Sequence, residues 1–286
     1  MYGEIIRIII LILIAGMYAY FDLFNKREIP NIFAYLSIVI SLVAVVLLGG
    51  DPYYILFLAA LIAFLGYISY EKGFVGGGDI FEFVAITLLI PIQTTPYLIK
   101  NIPQLGLPFI FSVFIASGYS SVVIILIYYL IFAKRTKIEK KFKIEKQNIK
   151  KSLLMIITYI ILAVMLLVIL KVSIIGVILL LLIAILSSIL IIYEKLINYR
   201  MVTELNPNEL VPEDMIAINL MTKSEIAYFK KKSKFFGRLA TKKLISDIKD
   251  VRRKIPVYRN AAPLAAFILI GIILSLLLGN IILLII

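Results

Sequence analysis

Two aspartates in this chain have the type and setting to do chemistry. Asp79 follows Gly76, Gly77 and Gly78 directly and opens a long apolar run, and Asp22 closes another apolar run near the start of the chain. Glycines carry no Cβ and accept backbone angles closed to other residues, so a substrate backbone can approach Gly76, Gly77 and Gly78 while the neighbouring carboxylate reaches it. An acid at the edge of a bilayer is costly to keep without a use. Alone, the four residues also read as a glycine turn whose aspartate caps a helix from Ile80. The second carboxylate tips the balance. Two aspartates that share one proton can hydrolyse a peptide bond: the ionised member takes a proton from water while the protonated member polarises the scissile carbonyl. Because two like charges a few ångströms apart do not both ionise cheaply, such a titration belongs to the pair.

Composition narrows the alternatives. Among 286 residues there is no histidine and no cysteine, which removes thiolate nucleophiles, disulfides, Cys-ligated zinc and the commonest general base. Catalysis falls to carboxylates, Lys, Tyr or Ser, and neither a metal nor a cofactor is expected. With 62% apolar residues and a mean hydropathy of +1.05, the chain reads as an all-α polytopic membrane protein.

The elements that must position the aspartates are apolar runs long enough to cross about 30 Å of hydrocarbon. Eight are expected, at residues 5–21, 32–48, 53–70, 80–99, 109–133, 153–170, 172–193 and 262–286. Pro91, Gln93 and Pro96 interrupt the fourth. Lys and Arg accumulate on the cytoplasmic side of membrane proteins. With residues 134–151 inside, alternation places 27 of the 30 basic residues inside or beside the membrane on that face, in segments 22–31, 71–79, 134–151 and 194–261. Both termini then lie outside, and Asp22 and Asp79 share the cytoplasmic boundary. Asp51, in Gly49-Gly50-Asp51-Pro52, falls on the opposite face as turn chemistry.

The expected organisation is a catalytic membrane core over residues 1–133, a basic loop over 134–151, a hairpin of two spans over 152–193, a basic insert over 194–261 and a last span over 262–286. The insert carries apolar residues at loose helical spacing (Phe229, Phe236, Leu244, Ile248) and is expected to be a small helical unit packed on the membrane domain. Its run Lys230-Lys231-Lys232-Ser233-Lys234 lies beside spans, which points to anionic lipid headgroups and not to nucleic acid.

Asp22 followed by Lys26-Arg27-Glu28-Ile29-Pro30-Asn31 resembles the Asp…Arg-x-Ile-Pro-Asn stretch of type IV prepilin peptidases, and Gly76-Gly77-Gly78-Asp79 resembles their Gly-x-Gly-Asp motif. Both occur in the family's order, each at the cytoplasmic end of a span. The resemblance covers about residues 5–130, with a fainter echo in the last span after Pro263. It implies a membrane aspartyl endopeptidase with Asp22 and Asp79 as the catalytic dyad, acting on prepilin or prearchaellin precursors with a short basic leader. Bacterial members typically have a Cys-rich cytoplasmic segment and also methylate the new amino terminus. A chain without cysteine looks more like the archaeal branch of prepilin and preflagellin peptidases. Where family members often have Lys two residues after the motif aspartate, this chain has Phe81, then Glu82. Glu28, Glu71 and Glu82 are therefore candidate contacts for a basic leader. The rival readings are a presenilin-like protease, a cation- or proton-coupled transporter and a non-enzymatic pilus-assembly platform.

Overall fold

The computed structural model describes residues 2–25, 29–48, 51–73, 75–90, 108–136, 146–169, 174–259 and 262–279. Each of the eight apolar runs carries a helix: α1 (Tyr2–Phe24), α2 (Asn31–Leu48), α3 (Pro52–Glu71), α4 (Gly77–Leu89), α5 (Phe109–Thr136), α6 (Lys146–Ile169), α7 (Ile174–Ile192) and, last, α11 (Leu264–Leu278). Five of them, α1, α2, α3, α5 and α6, are long and apolar enough to cross a membrane, and α7 and α11 add shorter apolar helices. This is an all-α polytopic membrane protein.

Local sequence sets the helix ends. Asp51 is the N-cap of α3 and accepts the Tyr54 N–H at 3.2 Å with Pro52 in the first turn, the turn chemistry expected of it. Helix α3 stops at Gly73, whose φ of +66° suits a glycine. Helix α4 is shorter than the expected run to residue 99. It ends at Leu89, and Ile90 turns extended with ψ 131°, because a residue that precedes proline is driven out of the helical region. Residues 91–100 lie outside the described part. In contrast, α5 and α6 run into the basic segment, to Thr136 and from Lys146. Lys, Arg and Gln are good helix formers, so the helices extend past their apolar runs.

Helix α1 packs on α4 and α11, α4 packs on α2 and α3, and α11 packs on α5. The buried stripe of α1 is Leu11, Ile14, Ala15 and Tyr18, at one-turn spacing. It meets Ala85, Ile86 and Leu89 of α4, Ile110 and Val113 of α5, and Ala265, Ile268 and Ile272 of α11. Gly271 lets α11 lie directly against Ser117 of α5, with no room for a Cβ. The α6–α7 pair reaches the core through α7 against α5.

Two side chains tie the far end of this bundle. The buried guanidinium of Arg7 donates through Nη2 to the carbonyls of Leu88 at 2.9 Å and Ile90 at 3.3 Å, satisfying acceptors that the end of α4 would otherwise leave open. Ser112 Oγ donates to the Gly279 carbonyl at 3.2 Å where α11 ends.

The insert begins with α8 (Glu194–Met201). It contains α9 (Lys223–Lys232) and α10 (Lys242–Ile248), and adds a two-stranded antiparallel sheet, β1 (Thr203–Leu205) against β2 (Ile255–Val257), in register Thr203↔Val257 and Leu205↔Ile255. The sheet brings the two ends of the insert together. A core of Leu205, Ile216, Phe229, Phe236, Leu244, Ile248, Ile255 and Val257 fills it, with Phe229 and Phe236 stacked at 5.1 Å.

Candidate active site

Asp22 lies in the last turn of α1, where the negative end of its own helix opposes a carboxylate. Helix α11 answers this. The backbone N–H of Ala265, in the first turn of α11, donates to Asp22 Oδ2 at 2.9 Å, so the positive end of one helix offsets the negative end of the other. The echo of the motif in the last span thus has a physical counterpart, since the start of α11 is a wall of the site.

Asp79 is the third residue of α4, and its Oδ2 accepts the Gly76 N–H at 2.8 Å. The capping role open to it is therefore fulfilled by one oxygen, from within the first turn of the helix. Both aspartates are half-buried. The packing of α1 on α4 brings the two carboxylates, 57 residues apart in sequence, within reach of each other's charge. Each faces the amino-terminal backbone of a helix.

The three glycines act through space, not unusual angles: Gly76 has φ −77°, and among the described residues only Gly73 and Gly279 are glycines of positive φ. A Cβ on Gly78 would stand 2.6 Å from Ile29 Cδ1, so the Ile29-Pro30-Asn31 stretch is seated on α4 through its first residue. The close approach that the glycines permit is, at Gly78, made by this chain itself. A Cβ on Gly77 would meet Glu213 Oε2 at 3.6 Å and the Tyr70 ring at 3.7 Å.

Glu213 belongs to the insert and takes a hydrogen bond from the Tyr70 hydroxyl at 3.4 Å. The insert makes a second contact at Gly73, where a Cβ would stand 2.8 Å from Arg238 Cβ. Its turn at Pro212-Glu213-Asp214, with Glu213 at φ 77°, borders the first turn of α4.

Of the candidate leader contacts, Glu71 is exposed at the end of α3. Glu28 lies outside the described residues, as do Lys26 and Arg27. Glu82 is fully buried one turn below Asp79, out of contact with any leader that passes over the surface. Tyr18, fully buried, stands one turn below Asp22 and shares a 2.8 Å hydrogen bond with Ser37 of α2. Tyr18 could have been found from its spacing of four residues from Asp22 on one helix. The Ala265 N–H and Glu213 carried no such signal, since a backbone donor looks the same anywhere. Among the described residues no group of three or more acids is arranged to hold a metal ion.

Two carboxylates, each steadied by one backbone donor, can divide the acid and base roles of amide hydrolysis between them. No curated protein and no solved structure matches the chain. Residues 8–126 match the type IV leader peptidase family, and the matched stretch contains Asp22, Gly76, Gly77, Gly78 and Asp79.

Proposed function

We propose that this protein is a membrane aspartyl endopeptidase that removes the short basic leader of prepilin-like precursors, pilins or archaellins, with Asp22 and Asp79 as its dyad. The observation that carries the reading is the meeting of these two aspartates at one end of the bundle, each with one oxygen on a helix amino terminus. In the reaction, the ionised aspartate takes a proton from water as the water oxygen bonds to the scissile carbonyl carbon. The protonated aspartate gives its proton to the carbonyl oxygen. The tetrahedral diol then collapses: a diol hydroxyl returns its proton to the now ionised aspartate, the C–N bond breaks, and the leaving amine takes the proton held by the other aspartate, which restores the dyad.

The basic segments support a cytoplasmic position for this end of the bundle, with both termini outside. A prepilin-like substrate fits that geometry, because its basic leader stays in the cytoplasm while its apolar helix enters the bilayer, and the bond between them arrives at the dyad's depth. Helix contact within the bilayer and leader electrostatics supply binding. The basic face of the insert sits on anionic headgroups.

The test is cleavage of a precursor with a basic leader by membranes that contain the full chain, Asp22→Asn or Asp79→Asn, read by gel shift and by the amino-terminal sequence of the product. Wild-type cleavage just ahead of the apolar helix, with loss in both variants, supports the dyad. Cleavage that survives in either variant rules it out and reopens the transport and platform readings.

A further inference from the structure

Glu82 is a buried acid of α4, in the membrane core. Its side chain is fully buried, and neither Oε1 nor Oε2 has a hydrogen-bond partner among the described residues. Buried polar groups are almost always partnered, and those that are not call for a functional reason. Glu82 stands one turn below Asp79 on α4, as Tyr18 stands one turn below Asp22 on α1, since residues three or four apart share a helix face. The two helices therefore stack two polar layers, Asp22 and Asp79 above, Tyr18 and Glu82 beneath. Glu82 lies within electrostatic range of Asp79 and Asp22, and the Tyr18 hydroxyl lies within range of Glu82 and Asp79. The other helices packed here add no charge to the cluster. Helices α2 and α11 carry no charged residue, and α3 carries only Glu71 at its exposed end.

Ser37 Oγ donates to the Ala34 carbonyl at 2.8 Å, so in the Tyr18–Ser37 bond the phenol is the donor. Tyr18 then presents only oxygen lone pairs to the cluster. A water molecule carries two donors, and a buried site with several polar partners is where one is held.

We propose that Glu82 is a positioning residue of the peptidase: with Tyr18 it holds a water beneath Asp22 and Asp79, and through that water it fixes the orientation of the two catalytic carboxylates. The proposal rests on the dyad reading above. It explains why an unpartnered acid persists where Leu would pack at less cost.

The experiment uses the full chain, with Glu82→Leu, Glu82→Gln and Asp79→Asn compared by kcat, KM and thermal melting in detergent. Glu82→Leu is expected to lower kcat about tenfold or more with KM within about twofold, because an interaction that orients the reacting groups is lost while substrate contacts remain. Its melting temperature should equal or exceed that of the wild type. Glu82→Gln, which keeps a hydrogen-bonding head, should fall between the two in kcat. Wild-type kcat in Glu82→Leu, alongside an inactive Asp79→Asn, overturns this proposal alone. So does a loss of kcat that is matched by a lower melting temperature in both Glu82 variants, since that is a structural role. Active Asp79→Asn overturns the dyad reading and this proposal together.

Discussion

Ile29 Cδ1 occupies the space that a Cβ on Gly78 would need, 2.6 Å from where that atom would stand. The residue that leads into α2 is thereby keyed into the first turn of α4, next to Asp79. Gly78→Ala gains about 1 kcal/mol of helix propensity but has to push Ile29 out of its seat. Cleavage should fall by about tenfold or more, as expected when a catalytic group shifts by a fraction of an ångström. Adding Ile29→Ala should restore much of it. A double-mutant cycle on cleavage rates checks this, with a coupling of about 1 kcal/mol expected for residues in direct contact.

Ala265 tests the link between the last helix and the dyad. Proline is tolerated in the first turn of a helix, where its missing N–H breaks no helical bond. Ala265→Pro therefore deletes the donor to Asp22 Oδ2 and keeps α11. A hydrogen bond to a charged group contributes about 1.5–3 kcal/mol, so a fall in kcat/KM of about tenfold to a hundredfold is expected. Ala265→Gly, which keeps the N–H, should remain close to wild type in the same assay.

Arg7 acts at the opposite end and should affect stability before chemistry. Its guanidinium satisfies the Leu88 and Ile90 carbonyls, and without it the end of α4 is left with buried acceptors. Arg7→Met is expected to cost about 1–3 kcal/mol, read as a lower melting temperature in detergent. Lys at this position should recover part of the loss.

The insert has a pH-sensitive cap. Glu225 accepts hydrogen bonds from the Thr222 backbone N–H at 2.7 Å and the Thr222 hydroxyl at 2.8 Å, and these, the backbone bond first, hold its carboxyl below the usual range. A carboxyl whose folded pKa is depressed stabilises above its unfolded pKa and loses that contribution as pH falls through the folded one. Amide exchange in α9, corrected for intrinsic rates, should therefore be slow at neutral pH and faster at about pH 4. Thr222→Ala should speed exchange at neutral pH, at a cost of about 1 kcal/mol, and flatten the pH dependence.

Much of this was legible in the chain. Apolar runs mark every large helix, because in lipid the backbone has to satisfy itself. Pro91 foretold the interruption of the fourth run, and Asp51-Pro52 foretold the start of α3. Asp22 and Asp79 stood out because charge is rare in such segments. What escaped is what depends on which helix lies beside which. Glu82 reads as a surface acid until packing buries it. Ile29 reads as an ordinary apolar residue until it meets Gly78. The strands of the insert, three residues each and separated by 49 residues, are too short for any period to show. Their pairing depends on the core that forms between them.

The hydrogen bond between Asp22 and Ala265 joins residues 243 positions apart. At about 5–20 residues per second, one leaves the ribosome roughly 10–50 s before the other. Once residue 79 has been added, Asp22 and Asp79 are both made, but the Ala265 donor to Asp22 does not yet exist. On the dyad reading, a nascent chain lacks this brace until α11 takes its place. On that reading, the order of synthesis itself delays the moment at which the two aspartates can work as a pair.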